Sequence, residues 1–181
     1  MVVYKRRDNT GGWAVSSTEI GAGQALQWDS PDPLSSFGGS FWNDTRPTNQ
    51  VFSVGDGTGT TNETGGEYLA YCWSSVPGYS KIGTYIGNKL RDNGPFVYTG
   101  FKPRWILLKV KDLQSNWIII DTTLNDNDTN TDWKNPNFLY PNTNNSKTST
   151  GVGTVIVTSN GFRVINNGDG LNAVSYTHLT L

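Results

Sequence analysis

Two short stretches decide how this chain is read: Tyr4-Lys5-Arg6-Arg7-Asp8 with Trp13-Ala14-Val15, and Leu108-Lys109-Val110-Lys111-Asp112 with Trp117-Ile118-Ile119. The Lys, the basic residue, the Asp and the Trp recur between them at one constant offset of 104 residues. In each, apolar residues flank a turn-forming cluster, Asp8-Asn9-Thr10-Gly11-Gly12 in the first and Asp112-Leu113-Gln114-Ser115-Asn116 in the second. Such a pattern predicts a β-hairpin. Its recurrence at a fixed offset predicts a duplicated unit of about 100 residues. The competing account is two hairpins alike only through common sheet geometry.

Working outward, Val51-Phe52-Ser53-Val54 resembles Gly161-Phe162-Arg163-Val164 at an offset of 110, and a strand opening at Tyr68 matches one opening at Tyr176. The second copy has a lead-in, Gly100-Phe101-Lys102-Pro103-Arg104-Trp105, whereas Met1 falls where Trp105 stands, so the chain is expected to begin partway into a repeat. Strands are predicted over 1–5, 13–17, 51–54, 67–73, 80–85, 105–111, 117–121, 154–158 and 161–165, and no clear 3.6-residue apolar period replaces them. Residues 55–66 and 125–151 are crowded with Asn, Thr, Asp, Ser and Gly and are expected to be exposed loops.

Composition agrees with this reading. Gly (21) and Pro (8) break helices too often for an all-helical fold among 181 residues. The expected architecture is all-β, an antiparallel β-sandwich, concanavalin-like and built from two related repeats. A net charge of -1 gives no electrostatic pull toward nucleic acid or anionic lipid. One Cys and one His supply neither an internal disulfide nor a zinc site, so no cofactor and no metal is expected. No apolar run reaches the roughly 18 residues of a membrane span, and residues 1–7 lack a signal-peptide core, so a soluble, non-exported product with no membrane partner is expected.

A contiguous block carries a family resemblance. Gly66-Glu67-Tyr68-Leu69-Ala70-Tyr71-Cys72-Trp73, then Pro77 to Asn88, then Asp92 to Trp105, resembles a repeated module of structural proteins of marine tailed bacteriophages. The similarity extends to Lys109, Asp112, Asn116-Trp117, Asp121 and Ser159-Asn160-Gly161-Phe162. The resemblance implies a lectin-like β-sandwich on a tail fibre or other virion protein, made in the host cytoplasm, with no catalytic residues to transfer. It also implies other virion proteins as partners and a homo-oligomeric fibre. The chain departs from that pattern at Val174-Ser175-Tyr176-Thr177-His178-Leu179-Thr180-Leu181, which reads like a translated sequencing adapter. The expected organisation is therefore 1–99 as a first repeat with linking strands, 100–173 as a second repeat, and 174–181 as a non-native tail, or else a genuine edge strand. If the tail is foreign, its His178 is too, and histidine-based catalysis loses its base.

Candidate sites follow from residue type. Trp28, Trp42, Trp133 and Tyr140 lie in polar surroundings where exposed rings could stack on host-surface glycans while Asn and Asp bind hydroxyls; the alternative is that they cover the sheet ends. Trp13, Trp73, Trp105 and Trp117 fall within strands and are expected in the core. Asp126 and Asp128, with Asn130 and Asp132, have the alternate-oxygen spacing of a cation loop, but Thr131 and Asn137 stand where such a loop needs Gly and Glu. The ligand-binding candidates are thus Trp133, Tyr140, Asp126 and Asp128. Residues 55–59 are glycine-rich without the Lys-Ser/Thr of a phosphate loop, and a flexible hairpin end is expected there.

A polysaccharide depolymerase would need two carboxyl groups roughly 5 to 9.5 Å apart. Glu19, Glu63 and Glu67 are the only glutamates, and Glu67 has no identifiable partner in the sequence. Cys72, between Tyr71 and Trp73, is expected to be a small buried hydrophobe. The sequence therefore favours a non-catalytic structural or glycan-adhesion module, with a depolymerase and a purely structural spacer as alternatives.

Overall fold

A computed structural model describes residues 1–57, 60–125, 138–146, 154–166, 168–174 and 177–180. The chain divides into two compact units, Met1–Ser74 and Ser75–Leu181. Both are built from antiparallel sheets, and the two α-helices are one turn each, so the fold is all-β and sandwich-like, as the composition requires.

The first unit holds β1 (Val2–Arg6), β2 (Trp13–Ser16), β3 (Leu26–Gln27), α1 (Gly38–Trp42) and β4 (Tyr68–Cys72), with sheet order β3-β2-β1-β4. Side chains alternate across a strand. Val2, Tyr4 and Ala14 therefore face one way, onto Ala25, Phe41 and Trp42, with Phe52 and Tyr68 packed beside them. Helix α1 carries two glycines, so burial of Phe41 and Trp42 holds it rather than propensity, and Asn43 closes it in the left-handed region at φ 52°. The segment expected as an exposed loop after Val54 is instead anchored: Gly55 and Thr61 are buried, Gly55 N–H donates to Phe41 O at 2.9 Å, and Gly57 N–H to Ser40 O at 2.9 Å. A Cβ on Gly55 would lie 2.2 Å from Gly39 O, so only glycine allows that approach. Residues 51–54 form no strand, although Phe52 reaches the core.

The second unit holds β5 (Gly83–Ile86), β6 (Phe96–Tyr98), β7 (Trp105–Val110), β8 (Ile118–Asp121), β9 (Thr154–Thr158), β10 (Gly161–Ile165), α2 (Asp169–Asn172) and β11 (Thr177–Thr180). One sheet runs β5-β11-β7-β8 and the other β6-β10-β9. Ile106, Leu108, Ile118 and Ile120 of the first sheet share a core with Val155, Phe162 and Val164 of the second, which makes the unit two-layered. Buried Asn172 is satisfied by the chain around residue 88: its Oδ1 accepts Asn88 N–H at 2.8 Å and its Nδ2 donates to Leu90 O at 3.2 Å. Strands β5 and β6, which the sequence attaches to the first repeat as linking strands, lie in this unit. Residues 177–180 pair on both sides, with β5 and β7.

The two units repeat one ladder. Val2 faces Ser16 and Ile106 faces Ile120, so the β1–β2 and β7–β8 hairpins share one register under the 104-residue offset. Tyr4 faces Ala70 and Leu108 faces Thr180, which makes β11 the counterpart of β4 at an offset of 110. Val15 faces Leu26 and Ile119 bridges Leu139, an offset of 113. Local bonds repeat as well. Lys5 Nζ donates to Gly11 O, and Lys109 Nζ to Ser115 O at 2.6 Å.

Candidate functional site

Strand alternation puts Val3, Lys5, Trp13, Val15, Leu69 and Tyr71 on the face of the first unit's sheet opposite its core. The ladder continues past the strand ends. Trp28 N–H donates to Trp13 O at 2.9 Å, and Trp73 N–H donates to Met1 O at 2.9 Å, which brings two more indoles to this face. The four rings then meet. Trp13 and Tyr71 are stacked, centroids 6.3 Å apart with planes at 23°, and Tyr71 and Trp73 are stacked at 5.9 Å and 28°. Trp28 meets Trp13 edge-on at 6.4 Å and lies tilted against Trp73, also at 6.4 Å.

These contacts cross the strands diagonally, so the rings lie over the rows between them. Val3 and Val15 in those rows are fully buried. Tyr71 remains 45% exposed and Leu69 44%, while Trp13, Trp28 and Trp73 are half-buried. The result is a wet aromatic surface floored by β-branched residues.

Polar groups border it. The Lys5 ammonium stands 5.9 Å from the Trp13 ring centroid. Asp29 Oδ1 accepts the Trp13 backbone N–H at 2.9 Å and fixes the end of β2. On the same face, Arg7 and Glu67 form an exposed ion pair, Nε to Oε2 3.4 Å, above a backbone bond from Arg7 N–H to Glu67 O. Charged hydrogen-bonding groups beside stacked rings can hold a ligand that is apolar on its faces and polar at its edges.

The second unit has the same positions in another state. Trp117 N–H donates to Asn142 Oδ1 at 3.0 Å, the counterpart of the Trp13–Asp29 bond, yet Trp117 and Lys109 are only 1% exposed. The open aromatic face belongs to the first unit.

Several expectations change. Trp13 and Trp73 are not core residues, and Trp105 is 38% exposed; of the four strand tryptophans only Trp117 is buried. Trp42, expected in a polar loop, is a core residue. Cys72 is exposed because β4 is an edge strand. Glu67 has a partner, Arg7. Tyr140 is half-buried against the core of the second unit, and burial pushes its hydroxyl pKa up. Trp133, Asp126 and Asp128 lie outside the described residues, so Tyr140 is the one ligand-binding candidate the structure places. Among the described residues no three His, Cys, Asp or Glu side chains converge on a metal position, and no helix is long and apolar enough to cross a membrane.

The ladder and its bonds recur through nearly the whole length, and one family model spans the same range: a domain of unknown function, DUF7483, matches residues 1–180. The chain belongs to the DUF7483 family. No curated protein matches it, and no solved structure does.

Proposed function

We propose that this DUF7483 chain is a non-catalytic adhesion module that stacks saccharide rings on the aromatic face of its first unit. One observation carries the reading: Tyr71, 45% exposed, lies stacked between Trp13 and Trp73 on a sheet face whose border holds Lys5 and the Arg7–Glu67 pair. Pyranose rings present C–H faces to aromatic rings and hydroxyls to charged edges, and rigid strands hold both in place at little entropic cost. A shallow surface of this kind binds weakly per site, and arrays of modules gain avidity without new contacts. The proposed setting of such an array is a virion surface, a reading supported by the resemblance of residues 66–105 to tail-fibre modules.

A glycan array probed with the chain displayed on a multivalent carrier tests this reading. Binding that falls about tenfold or more in Tyr71→Ala and Trp73→Ala, and persists in Trp105→Ala, supports stacking on this face. No binding by any multivalent form favours the spacer role, and release of reducing sugars from host polysaccharide favours the depolymerase.

A further inference from the structure

The two units differ at one edge. In the second unit β11 lies between β7 and β5, whereas in the first its counterpart β4 ends the sheet. The ladder shows which groups that leaves unpaired. Arg7 with Glu67, and Met1 with Trp73, exchange backbone bonds, so the odd-numbered residues of β4 face β1. The N–H and C=O groups of Tyr68, Ala70 and Cys72 therefore point away from the sheet, and no described residue pairs with them. Residues 69–72 are exposed throughout. A flat edge with three free donor–acceptor pairs is a template for another strand.

We propose that the β4 edge receives a β5-type strand from another copy of this repeat unit. The second unit supplies the pattern. There Tyr85 faces His178 and Gly83 faces Thr180, positions equivalent to Tyr68 and Ala70 under the 110-residue offset. A β5-type strand on β4 thus sets its tyrosine opposite Tyr68 and its glycine opposite Ala70. Backbone hydrogen bonds supply the attraction, and the alternation of the incoming strand fixes the register. The ring opposite Tyr68 extends the existing Tyr4–Tyr68 stack, whose centroids are 5.1 Å apart. Repeats joined this way form a chain of completed sheets, each closed by a strand of a neighbour. This inference does not depend on saccharide binding.

The test joins a second copy of residues 75–104 in front of Met1 of the full chain, since Met1 stands where Trp105 follows that segment in the second unit. Amide hydrogen exchange is followed by NMR at Tyr68 and Ala70. The proposal expects fast exchange at both in the original chain and exchange slowed about tenfold or more in the extended one. A control extension with proline at the positions of Gly83 and Tyr85, which removes the two N–H groups that face β4 in this register, must leave exchange fast. Unchanged exchange in the extended chain overturns the proposal, because tethering already supplies a high effective concentration. Exchange that is slow in the original chain and quickens on dilution also overturns it, because β4 would then be pairing with a second β4.

Discussion

Trp13 and Tyr71 stack on one another although β1, with Lys5 and Val3, runs between their strands. The rings lean across that strand over small side chains, which is why a face rich in tryptophan is both wet outside and dry beneath. Stacked aromatic pairs contribute roughly 0.5–1.5 kcal/mol beyond burial. Tyr71→Ala is accordingly expected to lower unfolding free energy by about 1 kcal/mol in urea titrations, a small loss beside its effect on saccharide binding. A loss several times larger would make Tyr71 a core residue and remove the argument for an open face.

The paired bonds Trp13–Asp29 and Trp117–Asn142 make the duplication testable. Each removes a free backbone donor at the start of its strand. Asp29→Ala and Asn142→Ala should each cost about 1–2 kcal/mol by chemical denaturation, with the part-buried Asn142 bond costlier than the exposed Asp29 one. Equivalent roles predict costs of one order; a negligible cost at one site would mean that only the other carries structural weight.

Glycine at position 55 is set by contact rather than by conformation. Its ideal Cβ would sit 2.2 Å from Gly39 O and 2.3 Å from Ser40 O. Gly55→Ala should destabilise the first unit by about 2–3 kcal/mol through the forced shift of α1. Gly65→Ala gives a useful contrast, because nothing lies within 4 Å and only its φ of +78° opposes the change. Melting temperatures of the two variants should differ in that order.

Alkaline pH should weaken the fold. Tyr85 is buried and donates to Leu171 O at 2.7 Å, and burial raises its pKa far above the ordinary 10.0; Tyr4 is pushed up to about 12, chiefly by burial, with Tyr68 nearby adding to it. A raised folded-state pKa contributes stability that is whole below the unfolded value and declines above it. Unfolding free energy should therefore hold up to about pH 10 and fall from there to pH 12. Tyr85→Phe should cost about 1–3 kcal/mol at neutral pH by orphaning Leu171 O, while making the alkaline decline shallower. An equally steep decline in Tyr85→Phe would assign the effect to other groups.

The hairpins were legible because Lys, Asp and Trp mark a turn and its flanking strands, and the 104-residue offset reappears unchanged in the ladder. Strands β3 and β6, of two and three residues, leave too little alternation to read, and α1 begins with Gly-Gly and owes its form to Phe41 and Trp42. The aromatic face was misread for a different reason. Strand membership says that a residue points to one of two faces, not which face is wet, and both faces of β1 and β2 carry large apolar groups. Trp13 and Trp73 could be placed only once the pairing of β1 with β4 set Tyr71 beside them. The signal available in the sequence was parity: Tyr71 and Trp73 share a face that Tyr68 and Ala70 do not.

The stacking account is tested most directly by following the indole N–H resonances of the tryptophans by NMR while an array-selected oligosaccharide is added. It predicts progressive shifts at Trp13, Trp28 and Trp73, with Trp42 and Trp117 unmoved. Shifts confined to other tryptophans, or binding that leaves every indole in place, would contradict it.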